Sequence, residues 1–285
     1  MLRAAITVLL LLLNLAIFGI PVVVVGLARF AVHMTAPRSR LRTRIILLLS
    51  SIAEQWVGMN DRIFDWMLPT KWDVAGIPES VTPGGRYLII SNHVSWIDIF
   101  AIFRAFHGRA AFVRFFLKWQ LIFFPIVGQA CWALEFPFLR RRPEKRQQDL
   151  ATARRASQRY RHIPVAIMTF LEGTRFSQEK HDDQESPYVH LLRPRVGAIA
   201  FVLASLGEQL DAMIDVTLAY PGGDTTLWQF LTGKLQRVTV RARTLDVPPE
   251  FYTAEITEPG PARDRFKTWV DAIWREKDAL LATFV

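Results

Sequence analysis

Residues 87–98 read Tyr-Leu-Ile-Ile-Ser-Asn-His-Val-Ser-Trp-Ile-Asp, and the fold can be worked out from this stretch. The apolar run Tyr87–Ile90 predicts a buried strand, and Ser95 followed by Asp98 is the pattern of a helix-capping box. A strand, a short loop and a helix start are typical of an open α/β sheet. His93 would then lie just beyond the carboxyl end of a strand, where such sheets usually bind ligands.

Beyond residue 70 the chain alternates short apolar runs with helical stretches, which predicts one α/β domain over residues 71–285. We expect a mostly parallel or mixed central sheet flanked by helices. Strands are expected at Tyr87–Ile90, Ala111–Arg114, Trp132–Phe136, Val165–Phe170, Ile214–Ala219 and Val238–Arg243. Helices are expected at Ile97–Phe106, Leu117–Phe124, Pro143–Arg161, Val196–Leu206, Thr225–Leu231 and Ala262–Leu281.

Residues 1–70 are interpreted as an N-terminal, apolar two-helix membrane-docking element. No charged residue lies between Ala4 and Ala28, and these 25 residues would form a helix long enough for a bilayer core of about 30 Å. Gly19 and Pro21 interrupt the segment, so a kinked span and a re-entrant hairpin both stay open. A signal peptide is the alternative, although its apolar region would usually be about 7–15 residues long.

Four arginines lie between Arg38 and Arg44, and basic clusters beside an apolar segment favour the cytoplasmic side. From Ile45 to Met67, apolar residues recur at three- and four-residue steps, which predicts an amphipathic helix. Two partners for its apolar face stay open, the lipid interface and the core of the domain.

The amino-acid composition indicates which kind of partner the protein binds. Lys and Arg total 35 against 26 Asp and Glu, a formal charge of +9, and 51% of residues are hydrophobic. Such a chain is more typical of an anionic membrane surface than of nucleic acid. The single cysteine, Cys131, excludes an internal disulfide, and no His-Glu-x-x-His or paired-cysteine motif predicts a metal site.

His93 and Asp98 form a candidate catalytic pair. A five-residue step is about 140° around a helix, so the two side chains meet only if His93 folds back over the first turn. A neutral imidazole, with an ordinary pKa of about 6.5, can accept a proton from an alcohol, and a carboxylate would fix its tautomer. The structural alternative is that Asp98 simply satisfies amides at the helix start.

A second motif, Phe-Leu-Glu-Gly-Thr-Arg at residues 170–175, follows another apolar strand. Gly173 permits an unusual backbone angle, and Arg175 carries a planar fork suited to an anion. A glycine turn with an exposed salt bridge is the alternative. The arginines at 140–142 follow a third predicted strand and could converge with Arg175 on one phosphate.

With these motifs the chain resembles the 1-acylglycerol-3-phosphate acyltransferase family of the glycerophospholipid acyltransferases. The first motif resembles the family's Asn-His-x4-Asp sequence and the second its Phe-x-Glu-Gly-Thr-Arg sequence. Four motifs follow the family's order over roughly residues 85–225, at Asn92–Asp98, Lys118–Arg141, Phe170–Arg175 and Val216–Pro221.

The resemblance implies that His93 is the general base and Asp98 its orienter, acting on the sn-2 hydroxyl of lysophosphatidic acid. Acyl-CoA or acyl-carrier protein would be the co-substrate, with no other cofactor. The implied substrate-binding residues are Lys118, Arg141 and Arg175 for the phosphate and Glu172 and Gly173 for the glycerol end, with Thr174 beside them.

Two departures leave the acceptor open. Leu171 stands where many members have proline, and Arg140-Arg141 replaces an acidic-basic pair, so another lysophospholipid stays an alternative. Two alternatives from other functional classes stay open. One is a membrane-anchored protein that binds anionic lipid without turnover, and the other is a thioester hydrolase. The expected location is a bacterial inner membrane, with the catalytic domain on the cytoplasmic face.

Overall fold

The computed structural model describes residues 1–35, 40–140, 146–160, 163–223 and 225–284. The helices are α1 (Leu2–Thr35), α2 (Arg40–Met67), α3 (Ile97–Phe106), α4 (Val127–Ala133), α5 (Arg146–Tyr160), α6 (Gln178–Asp183), α7 (Gly197–Leu206), α8 (Leu227–Leu231) and α9 (Pro261–Leu281). The strands are β1 (Lys71–Ala75), β2 (Arg86–Ser91), β3 (Val113–Phe115), β4 (Leu117–Lys118), β5 (Phe138–Leu139), β6 (Val165–Phe170), β7 (Ala212–Ala219) and β8 (Arg237–Leu245).

The central sheet has the order β1-β8-β7-β2-β6-β3. Strand β2 is parallel to both β6 and β7, and β8 runs antiparallel to β7. The predicted mixed α/β sheet is therefore confirmed. In the central register Ser91 pairs with both Phe170 and Val216, so the carboxyl ends of β2, β6 and β7 meet at one edge.

Both faces of this sheet are buried. Because successive side chains of a strand point to opposite faces, Ile89 of β2 joins one apolar cluster, with α2 and α3. Leu88 joins the other cluster, with α7 and α9. Full burial of such a side chain contributes about 1.5–3 kcal/mol, which explains why the strand is apolar at consecutive positions.

The predicted strand Trp132–Phe136 is wrong. The chain instead forms α4, and Glu135 adopts a left-handed conformation with φ 63°. A Cβ added at Gly26 of α1 would lie 2.3 Å from the Cβ of Ala133, so this apolar run packs against a helix. A short apolar run fits a buried strand and a buried helix equally well, and only its packing partner distinguishes them.

Three further elements also differ from the predictions. Leu117–Phe124, expected as a helix, forms β4 and a 3-10 turn at Trp119–Phe123. Strand β1 was not predicted, because its sequence Lys-Trp-Asp-Val-Ala suits an edge strand with few buried side chains. The expected loop 178–186 begins with the short helix α6.

Helix α1 runs without a break through Gly19 and Pro21. Among the described residues it is the one helix long and apolar enough to cross a membrane, over Leu2–Val32. It also packs along the domain. The Asn14 amide donates to Asn60 of α2 at 2.8 Å, and the Arg29 guanidinium lies 2.5 Å from the Glu135 carboxylate after α4.

Helix α2 is amphipathic, as predicted. Its buried residues, among them Leu49, Val57 and Phe64, belong to the same apolar cluster as the sheet, while Leu48 and Trp66 are exposed. One face therefore packs on the domain core. Although α2 ends just before residue 70, α1 and α2 share the domain's core, and the division at that residue stays a prediction.

Candidate active site

The loop after β2 is held by its neighbours at the carboxyl edge of the sheet. The Asn92 side chain donates to the Leu218 carbonyl and accepts from the Leu218 amide of β7, both at 2.9 Å. The His93 amide donates to the Glu172 carboxylate at 2.6 Å, and the His93 carbonyl accepts from the Phe176 amide at 2.7 Å. The two predicted motifs thus meet through the His93 amide and the Glu172 side chain.

Within this loop His93 contacts Asp98, with 2.7 Å between Nδ1 and Oδ2. The same carboxylate oxygen accepts from the amides of Val94 at 2.7 Å and Ser95 at 2.9 Å, while the Ser95 hydroxyl accepts from the Ile97 amide. One bond of the predicted capping box is therefore present, from the Ser95 amide to Asp98, but the hydroxyl of Ser95 bonds to Ile97 and the residue that caps α3 is Trp96. His93 lies outside the helix and folds back over its first turn, as the spacing required.

The pair is shielded from water. The Asp98 side chain is fully buried, and that of His93 is 16% exposed. The His93 ring stacks on Phe170 with 3.9 Å between centroids and a 10° interplanar angle. With Nδ1 engaged by Asp98, Nε2 is the ring nitrogen left to exchange a proton with a substrate.

Sequence reasoning missed Tyr220. Its buried hydroxyl donates to Oδ1 of Asp98, the oxygen that the loop amides leave free. Burial, and then the Asp98 charge, raise the pKa of Tyr220 well above its ordinary value, so the hydroxyl keeps its proton. The available signal was topological, because Tyr220 follows β7 directly and the ends of parallel strands share one edge.

Glu172 is buried, and its other oxygen accepts from the Leu192 amide at 2.9 Å. Burial raises the pKa of its carboxyl to about 8, although the amides of Leu192 and His93 act in the opposite direction. Both carboxyl oxygens of Glu172 accept from backbone amides, so this side chain joins the His93 loop to the segment at Leu192. The expected contact with the glycerol end of a substrate stays a prediction.

The turn after Glu172 requires glycine. Gly173 has φ +69°, and a Cβ there would lie 2.9 Å from Cδ of Arg195. Beside it the Thr174 hydroxyl accepts from the Lys180 ammonium at 3.0 Å. The half-buried Arg175 guanidinium lies 4.4 Å from the ring centroid of Trp96 in the first motif, so this cation borders the histidine loop.

The remaining predicted cations lie on the small sheet. Lys118 of β4 is exposed and pairs in parallel register with Leu139 of β5, next to Arg140. The Arg140 guanidinium lies 5.6 Å from the Trp119 ring centroid. Arg141, which the second motif assigns to phosphate, lies outside the described residues.

The structure thus places a histidine–carboxylate pair at the rim of a mixed α/β sheet, with an arginine beside it. The family model described as Acyltransferase matches residues 74–237, more than half of the chain, and the chain belongs to that family. The predicted resemblance to the 1-acylglycerol-3-phosphate acyltransferases is thereby confirmed.

The similar curated proteins are acyltransferases as well. The chain is 28% identical over 249 residues to lysocardiolipin acyltransferase 1 of Danio rerio, covering 82% of this chain and 61% of that protein. It is 25% identical over 236 residues to 1-acyl-sn-glycerol-3-phosphate acyltransferase delta of Homo sapiens, covering 76% and 58%. The chain thus spans about three fifths of the length of these relatives.

The fold is also similar to a solved structure. The 1-acyl-sn-glycerophosphate (LPA) acyltransferase PlsC from Thermotoga maritima superimposes with a TM-score of 0.52 at 16% identity, covering 94% of this chain and 98% of that one. The architecture described above is therefore that of an acyltransferase fold.

Proposed function

We propose that this protein transfers a fatty acyl group from an acyl-CoA or acyl-carrier-protein thioester to the sn-2 hydroxyl of lysophosphatidic acid, giving phosphatidic acid. The observation that carries the proposal is the 2.7 Å contact between His93 and Asp98, in a loop that also bonds to the Glu172 motif. A base, its orienting carboxylate and Arg175 are then parts of one rim.

In the reaction Nε2 of His93 accepts the hydroxyl proton as the acceptor oxygen attacks the thioester carbonyl. The carbon–sulfur bond then breaks, and the imidazolium returns the proton to the departing thiolate. Asp98 holds the imidazole tautomer through Nδ1 and stabilises the imidazolium. No acyl-enzyme is needed, since the acceptor alcohol is itself the nucleophile.

The surroundings of the dyad support this role. The Tyr220 hydroxyl and two loop amides donate hydrogen bonds to the buried Asp98 carboxylate, which holds that carboxylate in place against the His93 ring. The ring of Phe170 covers one face of the imidazole, and an aromatic face attracts the cation that forms during the reaction.

For the acceptor, Arg175 is the phosphate ligand in this proposal, with Lys118 and Arg141 as further cations. Lysophosphatidic acid is named because the second relative is a 1-acyl-sn-glycerol-3-phosphate acyltransferase. Another lysophospholipid is a second candidate, favoured by the lysocardiolipin acyltransferase of Danio rerio and by Leu171.

Membrane association is indicated by the apolar helix α1 and by the relatives. We propose a monotopic arrangement at a bacterial inner membrane, with the domain on the cytoplasmic face. Helix α1 touches the domain near Arg3 and again at Arg29, positions that lie about 39 Å apart along a helix. Because these contacts lie towards both ends of α1, the proposed arrangement places the helix alongside the domain rather than across the bilayer.

The test is an assay of the full chain in detergent with labelled acyl-CoA and a panel of lysophospholipids. Product that disappears in His93→Ala supports the proposal, and turnover that survives in this variant rules out His93 as the base. His107→Ala is the matched control, because His107, just after α3, forms a comparable pair with Glu54 of α2 at 2.8 Å. Free fatty acid formed without an acceptor would identify a hydrolase instead.

A further inference from the structure

Two groups of exposed apolar side chains lie on the domain outside the N-terminal helices. The first, which we call the aromatic loop, is residues 121–124 before α4, where Phe123 is 69% and Phe124 59% exposed. The second, the α8 tip, consists of Leu227 and Trp228, and Trp228 is 54% exposed. Clusters of this kind on a surface mark sites of interaction.

Both groups border α1. A Cβ added at Gly19 would lie 2.6 Å from Cγ2 of Ile126, which follows the aromatic loop almost directly. At the N-terminal end of α1, a helix that also contacts α8, the Arg3 guanidinium lies 3.3 Å from the position of a Cβ at Gly233. The two groups therefore continue the exposed apolar surface of α1 at different points along the helix.

Both groups are also linked to the catalytic loop. The chain that leads into the aromatic loop carries Phe115, whose ring lies 6.0 Å from that of Phe170, and Phe170 stacks on His93. On the α8 side, the Ser95 hydroxyl donates to the carbonyl of Thr225, two residues before α8. Each apolar group is therefore connected to the loop of the dyad through one or two intermediate residues.

Charge distribution identifies the occupant of this face. Lys118, just before the aromatic loop, is exposed, as is Arg140, whose guanidinium lies over the ring of Trp119. Basic side chains beside exposed aromatic ones fit the boundary between anionic headgroups and acyl chains, where each can reach its preferred environment. The chain's formal charge of +9 has the same sign.

We propose that the aromatic loop and the α8 tip dock on a phospholipid bilayer that contains anionic lipid, making with α1 a three-part contact. This contact holds the opening of the dyad against the headgroup layer. A lysophospholipid acceptor, whose identity rests on the proposed function, would then enter from the bilayer without its acyl chain crossing water.

Depth measurements test the docking without any assay of activity. In a Cys131→Ala background, single cysteines at Phe123, Trp228 and Val189 carry a nitroxide label in vesicles of phosphatidylcholine and phosphatidylglycerol. Val189 is the matched control. It is an apolar residue with a similar exposure, 71%, but it belongs to neither apolar group, and its amide bonds to Asp278 of α9. We expect oxygen to relax the labels at 123 and 228 more than a nickel chelate does, and the reverse at 189.

Labels at 123 and 228 that are as accessible to nickel as the label at 189 would overturn the proposal. So would dipolar broadening at 123, which would place a second copy of the chain on this face. Because these readings need no turnover, failure of the proposed reaction and failure of the docking are distinguishable.

A second measurement compares rates on vesicles and in detergent micelles. Phe123→Ser with Phe124→Ser should lower the rate on vesicle-embedded acceptor about tenfold, through lost apolar contact with lipid, and leave the micellar rate within about twofold. Val189→Ser should change neither. A vesicle-to-micelle ratio equal to that of the wild type would contradict the proposal.

Discussion

The histidine dyad and the cations that border it are built in contrasting ways. Asp98 is fully buried, and its oxygens accept from two backbone amides, the His93 ring and the Tyr220 hydroxyl. Arg175, in contrast, is half-buried and rests on the face of Trp96, and Lys118 and Arg140 are exposed.

This difference in burial suggests different tasks for the two groups, with the dyad for the reaction and the cations for binding the acceptor. The geometry of the dyad is fixed by folding, so no reorganisation is needed when a substrate arrives. In the proposed function a lipid phosphate displaces water from these cations, and their attraction for it grows as the local dielectric constant falls. Changes in the dyad should therefore affect kcat, and changes among the cations should affect kcat/KM for the anionic acceptor.

The largest effect is expected for Asp98→Asn. The amide oxygen can still accept from the loop amides, but the negative charge that stabilises the imidazolium is lost and an amide no longer fixes the His93 tautomer. We expect kcat to fall by about 10³–10⁴-fold with little change in KM. A loss of less than about tenfold in steady-state assays would show that the pair is only structural.

The next largest effect is expected for Arg175→Ala, which tests binding of the acceptor phosphate. Loss of a charged, partly buried contact should reduce kcat/KM for a phosphate-bearing acceptor by the equivalent of about 2–4 kcal/mol. Arg265→Ala, at an exposed arginine of α9, is the control. If the KM of the acyl donor alone responded, the assignment of Arg175 to the phosphate would be wrong.

Tyr220→Phe probes the dyad more gently. Without its hydroxyl the Asp98 carboxylate is less neutralised and attracts the imidazolium more strongly. We expect kcat to fall about fivefold, the scale of one hydrogen bond. Tyr188→Phe, which removes a comparable bond to Asp271, is the control and should leave kcat unchanged.

The smallest effect concerns stability. An ordinary glutamic acid has a pKa of about 4.3, whereas burial raises that of Glu172 to about 8. The folded chain then holds a proton that the unfolded chain releases, so this contribution is complete below about pH 4 and is lost as pH rises towards 8. Melting curves should show Tm falling more steeply between pH 5 and 8 in the wild type than in Glu172→Gln, and equal slopes would contradict the raised pKa.

The elements that carry the dyad could largely be predicted from the sequence. The buried strands β2, β6 and β7 and the capped start of α3 were predicted, because apolar runs and capping residues act over short distances. The region from Leu117 to Phe136 was not, since its apolar residues pack on α1, a partner more than 90 positions away. Phosphate ligation by Lys118 and Arg141 stays a prediction.

The sequence by itself determined the class of fold, the family motifs and the residues of the dyad, because these depend on local periodicity and on side-chain chemistry. Only the tertiary structure decided that Tyr220 completes the dyad, that Glu172 bonds to the His93 loop, and that α1 lies along the domain. These contacts join residues 79 to 230 positions apart, so their geometry depends on how strands and helices pack.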